Sequence, residues 1–131
     1  MLLEDGTAVK LIAAALVGLL IGYARRQKAA GMRTFALLCL GSAIFSVISI
    51  TSSWDPMRVI AQIVAGIGFL GLGVIWKNEG KPVGLTTAAA IWVTAAIGVL
   101  IGIGMWMEAG LGTVLTLGIV YSKKPLNKIK I

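Results

Sequence analysis

The sequence contains no histidine and a single cysteine, Cys39. Without histidine there is no imidazole to ligate zinc or to act as a general base. One cysteine makes neither an internal disulfide nor a multi-cysteine metal site. Acids are scarce too. Five Asp and Glu stand against twelve Lys and Arg in 131 residues, a formal charge of +7. Charged residues amount to 13% and hydrophobic residues to 58%, against about 25% and about 45–50% in a soluble domain. That balance excludes a disordered chain, a fibrous chain and most soluble enzymes. Glycine, at 17 residues, is well above its usual share of about 7%. Glycine-rich, charge-poor sequence is characteristic of membrane helices.

Crossing a hydrocarbon layer of about 30 Å takes about 20 apolar residues in a helix. Five candidate spans meet or approach this: Ala8–Ala24, Thr34–Thr51, Met57–Trp76, Leu85–Met105 and Ala109–Tyr121. Lys10 in the first must snorkel outward. The fifth is short, so it starts earlier, at Trp106, or thins the bilayer. Arg25, Arg26, Lys28 and Arg33 follow the first span, Lys77 and Lys81 the third, and Lys123, Lys124, Lys128 and Lys130 the fifth. Only Lys10 and Arg58 fall on the other side. Basic loops stay cytoplasmic, so the N-terminus is expected outside and the C-terminus inside. Trp54 and Trp106 fall at outer boundaries, and Tyr23, Trp76 and Tyr121 at inner ones, as an aromatic belt requires. Glu4 and Asp5 before the first span, with the arginines after it, argue against a cleaved signal peptide. The expected fold class is therefore all-α: a polytopic bundle of five transmembrane helices. It forms one transmembrane domain over residues 1–122, followed by a basic cytoplasmic tail, 123–131, at the anionic inner surface.

The chain also resembles itself at an offset of 53 residues, Leu16–Asp55 against Phe69–Glu108. Identities include Gly18/Gly71, Lys28/Lys81, Gly31/Gly84, Thr34/Thr87 and Ile44/Ile97. Shared membrane composition produces some of these. A true duplication makes two parallel hairpins plus one extra helix.

The third span carries the most information. Asp55-Pro56 opens it, with Asp as N-cap and Pro at the first helical position. Arg58, Gln62, Gly66 and Gly73 fall within about 80° of one face, and Gly68 and Gly71 lie opposite. A helix flat on two sides is expected to sit centrally, with close neighbours on both. Asp55, Arg58 and Gln62 make a candidate polar binding site in the outer half of the bundle. The plainer reading makes Asp55 a cap, Arg58 a snorkelling side chain and Gln62 glue between two helices. On the cytoplasmic side, Arg33-Thr34 and Thr86-Thr87 start the second and fourth spans. With Arg25 nearby, these positive helix ends favour anions such as lipid phosphates or an acidic protein face. Ordinary N-capping by threonine explains the same residues. Trp92 lies too deep for the belt and reads as packing, as do the Gly98/Gly102 pair and the buried-type Cys39. Gly80–Gly84 is a tight cytoplasmic loop without the spacing of a P-loop.

No enzyme is expected, because no nucleophile–base pair exists and no acid lies inside a span. The acids are Glu4, Asp5, Asp55, Glu79 and Glu108. For a magnesium site, which wants carboxylates and water, only Asp55 with Gln62 and carbonyls is available, so any metal ligand set stays undefined. No cofactor and no nucleic-acid partner are expected.

Three segments resemble the MgtC/SapB membrane proteins. Gly31-Met32-Arg33-Thr34 is similar to their AG[LM]RT segment. Arg58 through Ile75, with Ala61-Gln62-Ile63-Val64 and Gly66-Ile67-Gly68-Phe69-Leu70-Gly71, is similar to their R-x-x-A-Q-I-V-x-G-I-G-F-L-G-x-G-V-I signature. Gly84-Leu85-Thr86-Thr87-Ala88-Ala89 with Trp92 is similar to G-L-T-T-A-A-x-x-W. The resemblance implies a five-span, multi-pass protein of the bacterial inner membrane. It also implies a link to growth at low magnesium and to virulence, through survival in macrophages. The type member is thought to restrain the F-type ATP synthase rather than to carry magnesium. The favoured function is thus a non-enzymatic regulator that binds a membrane-protein partner, the synthase or a transporter, and works as a homo-oligomer, with a dimer favoured. The alternative is a transporter or channel for Mg²⁺ or another ion, using the polar site on the third span. Departures from the family pattern are Ala24 where a Glu is usual, Val83 where an Arg is common, and a chain that stops at Ile131 where many members continue into a soluble domain.

Overall fold

The computed structural model describes residues 6–26, 28, 30–52 and 54–122. The basic tail and the acids Glu4 and Asp5 lie outside the described residues. Within them run α1 (Thr7–Ala24), α2 (Met32–Ser52), α3 (Pro56–Leu72), β1 (Trp76–Asn78), β2 (Lys81–Val83), α4 (Leu85–Ile103) and α5 (Trp106–Tyr121). The fold is all-helical apart from the hairpin. Of the helices, α1, α2 and α4, with 18, 21 and 19 residues, are long and apolar enough to cross a membrane. The other two have 17 and 16 residues and reach about 24–26 Å at 1.5 Å per residue.

The bundle is centred on α2 and α4, with α1 beside both, α3 along one edge and α5 along the other. Its core comes from Ala14, Ile21, Phe35, Cys39, Ala43, Ile91, Ala95, Ile97 and Ile101. Glycines set the distances. A Cβ on Gly18 would stand 2.5 Å from the Phe35 carbonyl oxygen, and one on Gly22 would stand 2.6 Å from Met32 Cα. Farther along the same face of α2, Gly98 meets the Cys39 carbonyl, and a Cβ on Gly102 would lie 2.7 Å from the Ala43 carbonyl oxygen. These are backbone-to-backbone contacts that only a missing side chain permits. The Gly98/Gly102 spacing marks the α2–α4 seam as expected. The Gly18/Gly22 spacing marks a second seam that the sequence reading passed over.

Four buried hydroxyls are satisfied within their own helices. Ser46 Oγ donates to the Ser42 carbonyl at 2.7 Å, and Thr94 Oγ1 to that of Ala90 at 2.7 Å. Thr113 Oγ1 and Thr116 Oγ1 also reach back four residues, at 2.7 Å each. No polar side chain is left searching the apolar layer at these positions. Ser49 Oγ donates to the Pro56 carbonyl, tying the end of α2 to the start of α3.

The third span is shorter than the apolar run suggested. It was read to Trp76, but α3 ends at Leu72. After Gly71 the chain tightens into i+3 turns, with Val74 N–H on the Gly71 carbonyl and Ile75 N–H on that of Leu72. The next residues pair instead as an antiparallel hairpin, Trp76 opposite Val83 and Asn78 opposite Lys81. Glu79 and Gly80 turn the corner with φ of 52° and 78°, the two positive angles of a type I′ turn. Gly84, at φ 91°, returns against the Val74 carbonyl, where any Cβ would collide. So the expected tight loop is a paired hairpin. At the other end of α4, Gly104 is left-handed, and Met105 N–H bonds the Leu100 carbonyl at 2.8 Å, a Schellman stop. Lys10 Nζ comes within 3.8 Å of where a Gly104 Cβ would sit, beside the negative end of α4. The fifth helix starts at Trp106, the earlier of the two starts considered.

Residues related by the 53-residue offset play matching parts. Gly18 faces Phe35 and Gly71 faces Ala88. Phe35 N–H bonds the Gly31 carbonyl and Ala88 N–H that of Gly84.

Gly98→Val should force α2 from α4 and destabilise the fold by about 1–3 kcal/mol. Gly110→Ala, which points into open space, should leave stability unchanged. Thermal unfolding of both variants in one detergent checks the contrast.

Candidate functional site

The Asp55/Arg58 pair is held at the α2–α3 connection. Asp55 occupies the N-cap position of α3 with no side-chain cap bond. Its Oδ2 lies 3.9 Å from Arg58 Nε, with both side chains well exposed at 59% and 80%. An exposed pair at that distance contributes little to stability. Both residues line a depression of about 330 Å³ with Ser52 and Trp54. Gln62 lies elsewhere. It lines a separate groove of about 460 Å³ between α2 and α3, walled by Leu37, Phe45, Val59 and Leu70. Helical spacing therefore puts the three residues on one face, but the packing of α2 divides them between two cavities. Gln62 is exposed on that face.

The glycines of α3 also separate. Gly66, Gly68 and Gly73 are exposed, with open space at Gly66 and Gly68, while Gly71 rests on Ala88. Only Ile63, Ile67 and Gly71 form the buried stripe of this helix. Within one chain α3 is thus an edge helix rather than a central one, and most of its surface is uncovered. Helical periodicity groups small residues but does not say which group a neighbour covers. Trp92 is exposed on α4, so its ring packs against no core of this chain.

The residues expected on the cytoplasmic side are divided in another way. Arg33, Thr34 and Thr86 are exposed. Arg25 and Thr87 are buried and meet: Arg25 Nη2 donates to Thr87 Oγ1 across 62 residues of sequence. Arg25 follows the last residue of α1, and Thr87 is the third residue of α4. The contact exists because α1 lies along α4. Arg25 is only 2% exposed, and its Nε and Nη1 atoms have no hydrogen-bond partner among the described residues. Burial removes water from the charged form and lowers its pKa from the ordinary value. Arg26, next in sequence, takes the opposite course. It is exposed, with its guanidinium 4.3 Å from the centre of the Tyr23 ring.

Among the described residues, no three of His, Cys, Asp and Glu gather as a metal site. Cys39 is a buried free thiol.

The apolar helices, the signature over α3 and the Gly-Leu-Thr-Thr start of α4 agree with a direct comparison. The MgtC family profile matches residues 11–129. This chain belongs to the MgtC family. It is 49% identical over 112 residues to Protein MgtC of Salmonella typhimurium strain LT2, covering 83% of this chain and 48% of that protein. It is 45% identical over 124 residues to Protein MgtC of Brucella abortus strain 2308, covering 92% and 52% respectively. The chain thus spans about half the length of the curated relatives it matches. No solved structure matches it. Membership of the MgtC family, with three helices fit to cross a bilayer, makes this a membrane protein.

Each site residue was visible in the sequence of this MgtC-family protein, but the Arg25–Thr87 contact was not. The signal available was an arginine at the end of one span and a threonine pair at the start of another. Thr87→Val removes the one observed acceptor of a buried cation and should destabilise the protein by about 1–3 kcal/mol. Arg26→Ala should change stability by less than about 1 kcal/mol. Parallel thermal melts measure both.

Proposed function

We propose that the chain is a non-enzymatic regulator of the MgtC type in the bacterial inner membrane, acting by docking a membrane-protein partner. The observation that carries this is the uncovered face of α3. An amide, Gln62, and an open glycine, Gly66, line an apolar groove, and a second open glycine, Gly68, lies on the other face of the helix. A polar group facing hydrocarbon favours a partner that supplies a hydrogen bond, and glycines permit close backbone approach. The family resemblance supports a role in growth at low magnesium and in virulence, with the F-type ATP synthase as the first partner to test. A second copy of the chain is the other occupant of interest, since a Gln amide pairs with its own kind about a two-fold axis.

All five helices cross the bilayer in this reading, with the N-terminus outside and the C-terminus inside, supported by the placement of the basic loops. The matching contacts at 53-residue spacing support two parallel hairpins derived by duplication.

Gln62→Leu and Gly66→Leu should abolish photo-crosslinking from α3 to its partner in native membranes, while the melting temperature falls by no more than about 3 °C. Reconstituted protein alone should pass no Mg²⁺, K⁺ or H⁺ above the empty-liposome rate. Flux that disappears in Gln62→Leu would replace this reading with a transporter.

In a Cys39→Ser background, Lys81→Cys should react with an impermeant maleimide only in inverted vesicles, and Trp54→Cys only in intact spheroplasts. The reverse pattern would invert the orientation.

A further inference from the structure

We propose that Arg25 and the first turn of α4 form a binding site for a phosphate oxyanion. Two sources carry that chemistry, a free phosphate and an anionic lipid headgroup. The site is independent of the docking reading above. Only its assignment to the cytoplasmic side rests on the charge-based orientation.

The argument starts from an unmatched charge. Arg25 is 98% buried, since 2% of its surface is exposed. A guanidinium carries five N–H donors in one plane and no acceptor. Nη2 uses one on Thr87. Nε and Nη1, which hold three of the five, are shielded from solvent and have no partner among the described residues. A buried cation without a counter-charge is costly, because neither water nor a carboxylate replaces its lost hydration. No described carboxylate supplies that counter-charge. Asp55 and Glu108 stand at the starts of α3 and α5, and Glu79 is exposed at the hairpin turn.

The surroundings compound the positive potential. Thr87 lies within the first turn of α4, so Arg25 is aimed at that turn. Ala88 N–H is the first in α4 to reach a carbonyl behind it, that of Gly84. The N–H groups before it have no acceptor within the helix and form its positive pole. Gly84 is left-handed and packed against Val74, which fixes the entry of the chain into that turn. A second helix starts close by. Met32, the first residue of α2, rests on Gly22, one turn ahead of Arg25. Two helix N-termini and a buried guanidinium therefore converge with no acid among the described residues. A planar guanidinium and free backbone N–H groups are the donor set that recognises phosphate. The site lies where α1 ends and α4 begins, the boundary of two apolar spans, which is the depth of lipid phosphates.

The test uses the full chain, purified and stripped of lipid in a neutral detergent. Inorganic phosphate is titrated against chloride at equal ionic strength while thermal unfolding is followed. In parallel, native mass spectrometry counts phosphatidylglycerol retained from mixed micelles, with phosphatidylcholine as control. The variants are Arg25→Gln and, should that fail to fold, Thr87→Val with Arg25→Lys. A saturable rise in melting temperature with inorganic phosphate, at least about tenfold weaker in the variants, assigns a free oxyanion. Retention of phosphatidylglycerol that the variants lose, without a phosphate response, assigns a headgroup. Response to neither probe overturns the proposal and leaves Arg25 solvated by trapped water. A response that persists unchanged in the folded variants overturns it equally.

Discussion

Close approach between backbones is the constraint on which this bundle depends. Inside a bilayer the lipid tails are as apolar as the side chains, so burying leucine gains little. Helices stay together where their backbones come near enough for dense van der Waals contact. The chain does this twice, at two heights along one face of α2. Gly18 and Gly22 admit one neighbour, and Gly98 and Gly102 admit the other. α2 is thus held along one face by α1 and α4, and Ser46 and Thr94, bonded to their own helices, bring no unmet hydroxyl into the core. Everything else is attached to this three-helix slab.

The attached parts differ in character. α5 leans on α4 and α1 through Ala109, Thr113, Thr116 and Val120. α3 is buried against the slab along the stripe Ile63, Ile67 and Gly71, yet it carries the most distinctive stretch of the sequence. A helix held by so narrow a stripe and still glycine-flat elsewhere invites company from outside the chain, and this underlies the docking proposal. The Arg25 site lies at the opposite kind of place, deep in the slab, where α1, α2 and α4 meet at one end.

Much of this was legible beforehand. Five apolar runs give five helices, and the fourth starts at Leu85, as its apolar run does. The run through Val74-Ile75-Trp76 misled because its residues suit helix and strand alike. The deciding signal was Glu79-Gly80, a dipeptide with two positive φ angles, which requires strand pairing on either side. Asp55, Arg58 and Gln62 were found by spacing alone, since i, i+3 and i+7 share a helix face whatever surrounds it. Their division between two cavities depends on where α2 lies, which spacing does not encode. The Arg25–Thr87 bond joins residues 62 apart in sequence, and nothing local to either residue anticipates it.

The hairpin between α3 and α4 has a mechanical consequence. A flexible linker would let α3 move while the rest of the bundle stayed still. Here the linker is braced by paired strands, and Gly84 is wedged against Val74 at its base. α3 is thereby joined, through paired backbone rather than a loose tether, to the turn of α4 on which Thr87 holds Arg25.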